Sequence, residues 1–132
     1  MRILHMPPPF VVPNLSRPVL LAKFFRALGD PTRLRILQAM ADEEKSVGEL
    51  VQITRAPQGR VSTHLACLRW CGYVTARREG RKVFYRVTDL RVRELVRLAS
   101  DLVVENRERI RTCTVIDRAT PKATGYKDTE TC

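Results

Sequence analysis

The stretch GRVSTHLACLRWCGYVTARREGRKVFYRV, residues 59–87, decides how this chain folds. Val61, Leu65 and Leu68 lie at i, i+4 and i+7, the spacing of one inward stripe on a helix. Gly72 then stops the helix. Residues 73–77 and 82–87 read as two short strands flanking Arg78-Glu79-Gly80-Arg81, a β-hairpin with a glycine in its turn. In the second strand Val83, Tyr85 and Val87 alternate with Phe84 and Arg86, as on a half-buried strand. Around the first turns of the helix sit Gln58, Gly59, Arg60, Ser62, Thr63 and His64, polar residues suited to base edges or phosphates. The free N–H groups of the helix N-terminus also favour phosphate. The hairpin packs Arg77, Arg78, Arg81 and Lys82 into six residues, with Arg69 nearby, enough charge to straddle a phosphate backbone or enter a minor groove.

Upstream, three helices are expected. The first runs over residues 19–28, with Leu20, Leu21, Phe24, Phe25 and Leu28 on a broad face, and Gly29 stops it. Asp30-Pro31 opens the second, an N-cap followed by a proline at the first helical position, carrying Leu34, Ile36, Leu37 and Met40 to about residue 41. Ser46, with Glu49 three residues on, caps a short third helix over about residues 46–53. A turn at residues 54–56 leads to Pro57, which opens the fourth helix. Helix, helix, tight turn, helix and basic hairpin is the order of a winged helix-turn-helix. Downstream, Val92, Leu95, Val96, Ala99, Leu102, Val103 and Ile110 mark one amphipathic helix over residues 89–111, roughly 35 Å long. That stripe is longer than so small a domain can cover, and with the apolar first helix it points to a homodimer. The fold class is thus mainly α with a small β-hairpin, over residues 19–116. A Pro-rich arm over 1–18 and a polar tail over 117–132 flank it.

Composition narrows the function. The chain has 132 residues, enough for one domain, and 24 Lys+Arg against 14 Asp+Glu give a net charge of +10. Such a surface suits a polyanion, because each neutralised phosphate releases a condensed counterion. No apolar run approaches the ~18 residues of a membrane span, and the prolines at 7, 8, 9 and 13 break up any signal-peptide core, so a cytoplasmic protein is expected. In that reducing compartment Cys67, Cys71, Cys113 and Cys132 are core thiols, redox centres or metal ligands rather than structural disulfides. Catalysis is disfavoured: there is no Gly-rich phosphate loop, no nucleophile beside an evident base, and the imidazoles are His5 and His64 alone. No organic cofactor is implied.

The segments LGDPTRLRIL (28–37), SVGELV (46–51), GRVSTHLACLRWCGYV (59–74) and REGRKVFYRV (78–87) closely resemble the ArsR/SmtB family of metal-responsive repressors. The resemblance runs unbroken over about residues 20–110. It implies a winged-helix homodimer on a palindromic operator, released when inducer binds. Gln58, Ser62, Thr63 and His64 fall on its reading-helix positions and Arg81 on the wing tip.

Cys67 and Cys71 are four apart on one helix, with Cβ atoms about 5–6 Å apart. Two thiolates so placed can converge on one soft ion at about 2.3–2.5 Å. With Arg60 and His64 they form a stripe flanking the buried one, so both are expected to be partly covered, with nearby positive charge lowering their pKa. By itself such a pair is more often two unreactive helix residues. HLACLRWCG, however, is similar to the segment of the cadmium/lead sensors of the CmtR type, which implies that Cys67 and Cys71 pair with a third cysteine from the C-terminal region. Cys113 is the candidate, from the other chain if the long helices pair. Three thiolates suit Pb(II) or Cd(II), and two or three suit Hg(II). Arsenite sensors of the family often carry a Cys-x-Cys near the second helix, and SVGELV has none. Zinc and nickel sensors use His with Asp or Glu on the last helix, where this chain offers Asp101, Glu105 and Glu108 but no His. Cys132 is a stray thiol or a fourth ligand, and His5 a bystander. A thiol redox or reactive-sulfur sensor, an arsenite-responsive repressor and a regulator without ligand stay open.

Overall fold

A computed structural model describes residues 2–4 and 16–119. The remainder of the arm over 1–18, most of the tail over 117–132, and with them His5 and Cys132, lie outside the described residues. The elements are β1 Arg2–Leu4, α1 Arg17–Leu28, α2 Pro31–Ala39, β2 Lys45–Ser46, α3 Val47–Thr54, α4 Gln58–Trp70, β3 Val74–Glu79, β4 Lys82–Val87, α5 Leu90–Arg111 and α6 Thr114–Ala119. They form two compact units with a boundary between Arg93 and Glu94.

In the first unit, local chemistry sets the helix ends. Asp30 Oδ1 accepts from the Arg33 N–H at 3.0 Å and Pro31 fills the first position of α2. Ser46 Oγ accepts from the Glu49 N–H at 3.3 Å, and the hydroxyl is 3.2 Å from Glu49 Oε1, closing the N-terminus of α3. Thr54 Oγ1 donates to Leu50 O at 2.7 Å and accepts from the Ala56 N–H at 3.3 Å. With Arg55 left-handed at φ 57°, that turns the chain sharply from α3 into α4. Gly72 at φ 84° lets the chain leave α4, and Gly80 at φ 61° takes the first position of the two-residue hairpin turn.

Val61, Leu65 and Leu68 of α4 are fully buried, as their spacing requires, among Ile36, Leu37 and Met40 of α2, Leu50 of α3, and Tyr73, Val74 and Ala76. Tyr73 ties α1 to this core: its hydroxyl donates to Phe24 O at 2.6 Å and the two rings lie 4.7 Å apart. The antiparallel sheet has the order β1-β3-β4-β2. Two of its strands were not foreseen. β2 is two residues from the polar break before α3, paired with Tyr85 and Phe84, and β1 comes from the arm, with Arg2 opposite Arg78 and Leu4 opposite Ala76. The expected alternation in β4 is blurred, since Val83, Phe84, Tyr85 and Val87 are all half-buried. Cross-strand neighbours on both faces, which a single strand does not reveal, account for this.

The second unit carries the rest of α5, and no residue of α5 is buried. The helix is not continuous. Asn106 leaves helical geometry at φ −114°, ψ 16°, and its side-chain amide donates to Leu102 O at 2.9 Å. A short α6 follows, where the sequence predicted only the approach to a tail.

Leu65→Ala removes a fully buried side chain and is expected to cost about 2–5 kcal/mol. Urea unfolding followed by circular dichroism checks this; an unchanged midpoint would show that α4 does not anchor the core.

Candidate functional site

α4 presents one face to the core and another to solvent. Gln58, Gly59, Arg60, Ser62 and Thr63 are all exposed around its first turns. Pro57 precedes the helix and makes no side-chain cap, so the first N–H groups stay open to a ligand anion. Thr63 Oγ1 donates to Gly59 O at 2.9 Å, so its hydroxyl must rotate before it can donate elsewhere. At the hairpin, Arg78, Arg81 and Lys82 are exposed beside Gly80.

Two of the expected DNA-facing residues are placed differently. His64 is buried, with Nδ1 3.3 Å from Arg33 Nη1 and Nε2 3.9 Å from Asp30 Oδ1. It stands next to the apolar stripe and faces α2, not the surface that carries Ser62 and Thr63. Arg77 is half-buried and engaged. It donates to both carboxylate oxygens of Glu44, through Nε at 2.7 Å and through Nη2, and to Glu79 at 2.7 Å, while its guanidinium lies 4.7 Å over the Phe84 ring. The same bonds push the Glu44 carboxyl below its usual range. Arg77 therefore shapes the hairpin, and Arg78, Arg81 and Lys82 carry its outward charge. Arg33 and Glu44 are the residues that sequence reasoning missed. Asp30 and Arg33, three apart at the start of α2, were a local signal; their contact with His64 was not.

The thiols sit at the other end of α4. Cys71 is a free, half-buried cysteine at the helix C-terminus, its N–H donating to Cys67 O at 3.0 Å. Its partial cover agrees with the sequence reading, but its acidity does not. Burial pushes the Cys71 thiol up, outweighing the charges of Arg33 and Lys23, which pull it down. Cys67 is half-buried one turn earlier and is disulfide-bonded, so only its reduced form can ligate a metal. Cys113 is free and half-buried in the second unit, between α5 and α6. Among the described residues no three or more His, Cys, Asp or Glu side chains stand together as a metal site. The donor set on α4 thus fits a soft ion as a pair that needs a further donor.

Residues 30–76, from the cap of α2 to β3, match the family profile described as bacterial regulatory protein, arsR family. The chain is 48% identical over 101 residues to a probable mercury resistance operon repressor of Streptomyces lividans, covering 76% of this chain and 81% of that protein. It is 48% identical over 69 residues to the HTH-type transcriptional regulator CmtR of Mycobacterium bovis, covering 52% of this chain and 58% of that protein. Among solved structures it is similar to the homodimeric winged helix-turn-helix DNA-binding domain of a possible ArsR-family regulator from Mycobacterium bovis. That match has a TM-score of 0.63 and 28% identity and covers 74% of this chain and 95% of the other.

A thiol shifted upward holds less thiolate at neutral pH than an ordinary cysteine, whose pKa is about 8.5. In the reduced protein Cys71 is therefore expected to alkylate more slowly than a cysteine in an unstructured peptide, with its rate–pH midpoint displaced to higher pH. Peptide mapping by mass spectrometry after timed iodoacetamide treatment checks this. A midpoint at or below that of the peptide would contradict it.

Proposed function

Because this chain belongs to the ArsR family of bacterial regulatory proteins, we propose that it is a homodimeric repressor that binds operator DNA and releases it when Cys67, Cys71 and Cys113 capture a thiophilic metal ion. The observation that carries the reading is the double use of α4. Its first turns expose Gln58, Arg60, Ser62 and Thr63, and its last turn and C-cap carry Cys67 and Cys71. An event at the thiols acts on the body that meets the duplex.

DNA contact comes from those four residues in the major groove, with Arg78, Arg81 and Lys82 of the hairpin on the backbone or in the minor groove. The second copy of the chain covers the apolar surfaces left open in one copy. On α1 these include Val19, Leu20, Leu21 and Phe25, and on α5 Leu98, Leu102, Val103 and Ile110, each about half exposed. A two-fold dimer would place its two reading helices one DNA turn, about 34–36 Å, apart. The homodimeric structural neighbour supports this assembly.

For the inducer, the sulfur-only donor set favours cadmium, lead or mercury over harder ions. Cys67 and Cys71 supply two thiolates, and Cys113 of the partner subunit supplies the third. Drawing them together restrains or rotates α4 so that its half-site fit worsens. A coupling of about 1–3 kcal/mol, typical of linked sites, weakens binding about 5–150-fold. The relatives named for mercury resistance and as CmtR support a metal signal, and a reducing cytoplasm would keep the thiols ready for it.

Reduced Cys67→Ser and Cys71→Ser proteins are expected to bind operator like the unaltered chain but to stay bound when Cd(II), Pb(II) or Hg(II) is added. Fluorescence anisotropy on labelled operator measures both properties. Full metal-triggered release by both variants would rule the assignment out.

A further inference from the structure

Arg33, near the start of α2, joins three helices through one guanidinium. Nε donates to Ala27 O at 2.6 Å and Nη2 reaches Arg26 O at 3.4 Å, carbonyls in the last turn of α1. Helix ends leave such carbonyls without the usual partner four residues on, and Arg26 O also accepts the capping Gly29 N–H at 3.1 Å. Nη1 lies 3.3 Å from His64 Nδ1 on α4. A guanidinium has donors only, so this contact requires the lone pair on Nδ1. The imidazole proton then sits on Nε2, the nitrogen facing Asp30 Oδ1 at 3.9 Å. Asp30 also accepts the Arg33 N–H at 3.0 Å, which holds the arginine backbone in place beneath its own side chain.

The apolar contacts of Val61, Leu65 and Leu68 press α4 onto the core but have little directional preference. The planar fork of Arg33 does have direction, and a lysine could not reproduce it. Its leverage is large. Gln58 begins α4 six residues before His64, about 9 Å along the axis, so a tilt of about 20° about His64 moves that end by about 3 Å. That is close to the roughly 3.4 Å rise of one base pair. His64 also lies on the flank of α4 that carries Cys67 and Cys71.

We propose that Arg33 is the positioning residue that fixes the angle between α1, the dimer-forming helix, and α4, the reading helix, and so sets the half-site spacing the dimer accepts. The inference rests on the reading of α1 and α4 given under the proposed function. It concerns the metal-free protein and needs no inducer to be tested.

The test uses the full-length reduced chain and a palindromic duplex recovered from a random-sequence pool by that chain. Copies of this duplex have their half-sites moved apart or together by one and two base pairs. Affinities of Arg33→Met, His64→Leu and His64→Gln are compared with wild type by anisotropy, after circular dichroism and sedimentation confirm folded dimers. With α4 free to tilt away from its half-site, about tenfold weaker binding by Arg33→Met and His64→Leu is expected at the selected spacing. At the shifted spacings little change is expected, so the preference flattens. His64→Gln, which keeps an acceptor toward Arg33, is expected to retain most of the preference. If Arg33→Met does not fold, His64→Leu carries the test alone, because it leaves the anchor on α1 intact. An undiminished spacing preference in a folded variant, or an equal loss at every spacing, would overturn the proposal. A wild-type chain with no spacing preference would overturn the dimeric reading, and the proposal with it.

Discussion

A helix of 13 residues, Gln58–Trp70, has to satisfy the core, the solvent face and the thiols at once. Val61, Leu65 and Leu68 are fully buried, and that burial fixes the rotation of α4 about its own axis. Once the rotation is fixed, Gln58, Arg60, Ser62 and Thr63 must face outward, His64 must turn toward α2, and Cys71 must end half-covered. The apolar stripe thus determines both which residues of α4 face solvent and how accessible the Cys71 thiol is.

Charge is distributed under the same constraint. The chain carries a net charge of +10, but its arginines are not equivalent. Arg77 is matched by Glu44 and Glu79, Arg91 by Asp89 and Arg93 by Asp42, and Arg33 is occupied with α1 and α4. Arg60, Arg78, Arg81 and Lys82 are exposed on the reading helix and the hairpin. A polyanion would meet these first, while the engaged arginines hold the elements in place. Arg33 also softens the cost of burying Cys71 without reversing it, so the thiol stays protonated more readily than an ordinary cysteine until something displaces its proton.

Features governed by near neighbours were legible in the sequence. The caps at Asp30 and Ser46, the stop at Gly72 and the turn at Gly80 all follow from stereochemistry within a few residues. The buried stripe of α4 and the hairpin were also readable, because their periods differ. What failed was long-range pairing. At about 100° per residue, His64 stands about 40° from Leu68 on the helix circumference, so its burial could have been foreseen. Its partner Arg33, 31 residues away, could not. Glu44 was likewise hidden 33 residues from Arg77, so that arginine looked free. β2 escaped because two residues carry no period. The break at Asn106 escaped because its amide bonds to Leu102 within a sequence that reads as helical throughout.

If α4 both reads DNA and holds the metal-binding thiols, the two events must be coupled in one molecule. Titrating the reduced protein on labelled operator with Cd(II), Pb(II) or Hg(II), while recording sulfur-to-metal charge-transfer absorption and anisotropy together, tests this most directly. The absorption is expected to grow as the anisotropy falls, both ending at the same metal equivalent. Absorption that saturates while the operator stays fully bound would contradict the account.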